Sequence, residues 1–131
     1  MASRYWVLDT GTWDASDTTH WSATSGGLGG ASVPGASDDV ILDANSCLLS
    51  GTVTPNYDLS VKSITAGALT GTLDFSANNN SPTMEVFNFS GTGVRTINLG
   101  TGTFNITGSG TTIWTYATTT NLTYDGASAT I

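Results

Sequence analysis

The chain has 131 residues with a net charge of -7, and its three cations are Arg4, Lys62 and Arg95. So few cations exclude a phosphate-tracking nucleic-acid surface and a basic face for anionic membranes, and no apolar run approaches the roughly 18 residues of a membrane span. A lone cysteine, Cys47, leaves no intrachain disulfide and no multi-cysteine metal site.

Only 10% of residues are charged, while four Trp, four Tyr and four Phe are present, a balance that disordered chains lack. Abundant Thr and Ser fit strands with hydroxyl-bearing outer faces, and 16 Gly imply a thin core. Arg4–Leu8 reads as a first strand, and Thr10–Asp14 as a turn into a second short extended piece. Gly26-Gly27-Leu28-Gly29-Gly30 and Pro34-Gly35 punctuate the chain before Val40-Ile41-Leu42, a short buried strand. From about residue 50 the texture changes to apolar/polar alternation. Leu59, Val61 and Ile64 suggest one strand with an irregularity at Ser63. Leu69–Phe75 and Met84–Phe89 each read as one strand, followed by Val94–Leu99, Thr103–Thr107, Thr112–Tyr116, Leu122–Tyr124 and Ala129–Ile131. No window carries a helical face.

These observations predict an all-β fold. Phe87-Asn88-Phe89, Ile97-Asn98-Leu99 and Phe104-Asn105-Ile106 look like variants of one unit, and Asn-Gly hairpin turns are absent between the runs. Both features favour a β-solenoid with two strands and about 20 residues per rung over a β-sandwich or jelly roll. The division expected is a Trp-rich N-terminal cap over residues 1–45 and a solenoid over 46–131. The strand pattern runs up to Ile131, so either the solenoid continues in a longer polypeptide or the last strand pairs with a neighbouring chain.

The order Arg4-Tyr5-Trp6-Val7, Gly11-Thr12-Trp13-Asp14, Trp21-Ser22, Ser25-Gly26-Gly27 and Gly29-Gly30-Ala31-Ser32-Val33-Pro34 resembles the start of large phage and metagenomic virion-structural proteins. Those look like tail-fibre or appendage proteins continuing in solenoid-like repeats. The glycines usual after Trp-Val in that family are here Leu8-Asp9-Thr10. The resemblance implies a virion location and a role in assembly or host-surface attachment, with homo-oligomers, other virion proteins or a host surface glycan as partners. The N-terminus lacks the pattern of a signal peptide, which fits assembly in a host cytoplasm. The alternatives are a secreted adhesin, a carbohydrate-binding or carbohydrate-cleaving module at the cell surface, and a capsid decoration protein.

Candidate chemistry is sparse, and no enzyme is expected. His20, the only histidine, is the one residue that could serve a Ser-His-Asp site, and reads as structural. Asp38-Asp39 would point to opposite faces of a strand and so cannot flank a glycosidic bond together. Asp38, Asp39, Asp43 and Asn45 are candidate oxygen ligands for calcium, with turn and edge carboxylates the alternative. Trp6, Trp13 and Trp21 could stack on sugars or fill the core of the cap. Cys47, flanked by Ser46 and Leu48-Leu49, reads as a buried small apolar residue.

Overall fold

The computed structural model describes residues 2–131 and contains no helix among them. The strands are β1 (Ser3–Trp6), β2 (Gly11–Trp13), β3 (Trp21–Ser22), β4 (Asp39–Ile41), β5 (Thr52–Pro55), β6 (Ser63–Thr65) and β7 (Thr72–Asp74). They continue with β8 (Thr83–Met84), β9 (Val86–Asn88), β10 (Arg95–Asn98), β11 (Asn105–Ile106), β12 (Trp114–Thr115) and β13 (Leu122–Asp125). Together they wind into a β-solenoid of about four turns. One sheet runs β12-β9-β6-β4-β1-β3, a second β13-β10-β7-β5-β2, and a third β11-β8. Every pairing is parallel except β1 with β3. Bridges from Ser60 to Thr83 and from Thr103 to Thr130 extend the third side.

Register fixes the rung. Val40 pairs Ile64, Ile64 pairs Phe87 and Phe87 pairs Trp114, steps of 24, 23 and 27 residues. On the second sheet Val53, Leu73 and Ile97 stack, 20 and then 24 residues apart. The rung therefore has three sides, not the expected two, and all but one of these steps exceed 20 residues. Phe87-Asn88-Phe89, Ile97-Asn98-Leu99 and Phe104-Asn105-Ile106 prove to be the three sides of a single turn. Each directs its apolar pair inward: Phe87, Phe89, Ile97, Leu99 and Phe104 are all buried and Ile106 packs against them. Met84–Phe89, expected as one strand, bends at Glu85, so that Met84 closes the third side and Val86 opens the first.

One continuous core runs from Trp6 to Phe104. β1 and β2 already form its first rung, pairing β4 and β5. Residues 14–38 are therefore inserted between β2 and β4, and within them β3 turns back antiparallel onto β1.

The corners are built by short polar side chains. The amides of Ser16, Asn45, Ser76, Ser90 and Ala127 donate at 2.8–3.0 Å to the side chain two residues earlier: Asp14, Asp43, Asp74, Asn88 and Asp125. Each such bond satisfies a backbone donor as a strand ends and turns the chain into the next side. At one corner successive rungs approach backbone to backbone: a Cβ on Gly91 would lie 2.6 Å from Cα of Gly67, so only glycine fits.

Candidate functional site

The tryptophans lie inside. Trp6, Trp13 and Trp21 are fully buried, Trp21 meeting Trp6 edge-on at 5.2 Å and Trp13 at 4.9 Å. A sugar-stacking platform needs an exposed ring face, which none of the three offers; they fill the core. His20 stacks on Trp6 at 4.5 Å, and its Nδ1 lies 2.8 Å from the carbonyl of Val7. Since a carbonyl only accepts, Nδ1 carries the proton. The imidazole fills the space beside Gly11 that a Cβ there would overlap. The ring is committed to packing.

The proposed calcium ligands do not converge. Asp38 accepts from the amides of Gly35 at 2.9 Å and Ala2 at 3.1 Å, while Asp39 accepts from the Ser63 hydroxyl at 2.6 Å. Asp43 accepts from the Ser25 hydroxyl at 2.7 Å and the Asn45 amide at 2.9 Å. Among the described residues no three His, Cys, Asp or Glu gather as metal ligands. The spacing within eight positions is what a strand edge and its following corner produce.

These bonds make stability depend on acid. The Gly35 amide, with that of Ala2, holds the Asp38 carboxyl below its ordinary value of 3.8 despite the opposing effect of burial. A group with a lowered folded pKa contributes stability above the unfolded value and loses it as pH falls. Asp38→Ala is therefore expected to lower the thermal midpoint more at pH 6 than in acid, the two melting-versus-pH curves starting to draw together below about pH 3.9 and continuing to do so as pH falls through the lowered folded value. Parallel curves would assign the effect to packing.

Cys47 is buried with Ser46, although Leu48 and Leu49 turn outward, 73% and 85% exposed. Burial, with a smaller contribution from Asp9, pushes the thiol up to about 12. A disulfide reagent at pH 8 is expected to leave Cys47 unmodified until denaturant is added; labelling of the native protein at the denatured rate would contradict this burial.

Beside Cys47 the structure opens a cleft of about 570 Å³, missed in the sequence because its residues lie far apart in the chain. Its walls include Val7, Leu8, Asp9, Asn45, Leu48 and Leu49. The turn between β1 and β2 places Leu8 and Asp9 consecutively at positive φ, 67° and 62°. Each non-glycine residue held there costs on the order of 1–2 kcal/mol. Asp9 is tied down on all sides: its carbonyl accepts from Trp6 Nε1 at 2.7 Å, its amide donates to the Ser46 carbonyl at 3.0 Å, and its Oδ1 accepts from the Gly51 amide at 2.8 Å. These bonds hold the strained turn and carry Leu8 into the wall of the cleft.

At the other end of the solenoid, β12 and β13 are each paired on one side only. Tyr116 and Tyr124 stack there on buried Phe89, each 5.7 Å from it, and remain about half exposed. Among the described residues no helix is long and apolar enough to cross a membrane. The chain matches no protein-family model, no curated protein and no solved structure.

Proposed function

We propose that the chain is a structural component of a phage virion, a β-rod within a tail fibre or other appendage that serves assembly or host-surface attachment. The observation that carries this reading is the in-register parallel stack β2-β5-β7-β10-β13. Its backbone hydrogen bonds run along the solenoid axis, so load along the rod is shared by whole ladders of bonds. Thr52, Thr72 and Thr96 stand in register on its outer face. Asp14, Asp43, Asp74 and Asp125 each hold a corner through a backbone amide, which suits a rod whose cross-section is fixed rung by rung. The half-paired edges of β12 and β13 suit addition of further strands from other copies or other virion proteins.

Antibodies raised against the purified chain are expected to mark an appendage on negatively stained particles from the lysate of the host that carries the gene. Labelling confined to the capsid would make the chain a decoration protein. Labelling of the host envelope alone, or release of reducing ends from polysaccharide by the purified chain, would overturn the rod.

A further inference from the structure

We infer that the cleft beside Cys47 is a docking site for a basic side chain, lysine being its simplest form, on an extended segment of a partner protein. The volume of about 570 Å³ lies within the usual range for ligand clefts, about 300–1,000 Å³. Its walls are apolar where they meet solvent: Leu8, Leu48 and Leu49 are 61%, 73% and 85% exposed, over a floor at buried Val7. Three leucines left in water around one concavity are not explained by the core, which closes without them.

The polar groups among these walls decide the ligand. Oδ1 of Asp9 accepts from the amides of Gly51 at 2.8 Å and Leu49 at 3.4 Å, and its second carboxylate oxygen takes no hydrogen bond among the described residues. Asn45 donates through Nδ2 to the Ser25 hydroxyl at 3.0 Å, which leaves its Oδ1. Both vacant groups accept, and one is charged. A ligand must therefore bring donors, and a cation is favoured over a neutral donor. Methylenes packed along leucines with an ammonium at a carboxylate describe a lysine side chain, whose stem buries on apolar surface while its head stays polar. The net charge of -7 adds a field that draws basic segments toward the chain. The strained pair Leu8-Asp9 presents the apolar wall and the carboxylate side by side, and strain of this kind is characteristic of binding sites. The site does not depend on the virion reading.

The test is a methyl-detected NMR titration of the whole chain with the blocked tripeptide Val-Lys-Val, its Val-norleucine-Val counterpart, and free butylammonium. The lysine peptide is expected to shift the methyls of Leu8, Leu48 and Leu49 and to bind about fivefold more tightly than the norleucine peptide, the advantage shrinking as salt is raised to about 0.3 M. Asp9→Asn keeps an acceptor for the Gly51 amide and should abolish that advantage; Leu49→Ser, at an exposed position, should weaken both peptides. If the Asn variant does not fold, the norleucine comparison and the salt dependence on the unaltered chain decide alone. Equal binding of the two peptides, no shift at the three leucines, or butylammonium binding as tightly as the lysine peptide would each overturn the proposal.

Discussion

Arg95→Met is expected to lower the unfolding free energy by about 3–5 kcal/mol, the cost of leaving several buried backbone carbonyls without their donor. Arg95 is 1% exposed, and all its hydrogen bonds go to backbone carbonyls: Nε to Phe89 at 2.8 Å, Nη1 to Gly93 at 2.7 Å and Thr120 at 2.9 Å, and Nη2 to Thr118 at 2.8 Å. Phe89 and Gly93 precede β10 in its own rung, whereas Thr118 and Thr120 belong to the corner between β12 and β13. One guanidinium thus staples two successive corners. Burial pulls its pKa below the ordinary value, but an arginine remains charged, so the carbonyls repay its desolvation. Methionine matches the stem and leaves the carbonyls of Phe89, Gly93 and Thr120 without their guanidinium donor, while that of Thr118 keeps the Gly91 amide at 3.2 Å; each unsatisfied group costs about 1–3 kcal/mol to the extent that water cannot reach it. Hydrogen exchange should localise the damage: β12 and β13 lose protection while β4 and β6 keep theirs. Arg95→Lys retains the charge without the fork and should fall between. A loss under about 1 kcal/mol by denaturant titration would mean that water replaces the guanidinium at those carbonyls.

Trp21→Ala should cost about 3–5 kcal/mol, by a different route. β3 is short, and its hold on β1 depends on the Trp21 ring wedged between Trp6 and Trp13. Its Nε1 is buried with no hydrogen-bond partner, so truncation removes packing and no hydrogen bond. Trp21→Phe should therefore recover most of the loss, since phenylalanine restores much of the ring and removes an unsatisfied donor. Denaturant midpoints of the two variants separate the cases: a Phe variant as unstable as the Ala variant would show that the indole N–H contributes after all. Trp114→Ala, at a half-buried position in β12, should cost less than Trp21→Ala.

Much of this architecture was legible in the residues. Alternation located most strands, and the missing hairpin turns pointed to parallel pairing. The third side was not legible, because inward-outward alternation runs through a corner such as Glu85 unchanged, and two strands on different sides read as one. Arg95 could have been found: it shares parity with Ile97 and Leu99, both inward, while Val94 on the opposite parity is exposed. Charge suggested the surface, and the strand period was the stronger rule. The cleft had no local signature. Leu48-Leu49 beside Cys47 looked like core, and only the turn brought to it by Leu8 and Asp9 makes those leucines a wall. The three tryptophans are all buried, but composition cannot tell a segment inserted between β2 and β4 from one that precedes the solenoid.

The register between β6 and β9 has a consequence for how such a molecule changes length. Ser63 pairs Val86, so residues 63–85 make one complete circuit and return the chain to the point where it began. Losing or duplicating that block would leave every neighbouring side chain facing the way it faces now, with the molecule one strand spacing shorter or longer, about 4.8 Å. An odd number of residues gained or lost within a strand would throw its inward residues outward. Length here is a count of whole circuits, a ruler that can be recut in the gene without redesigning its cross-section.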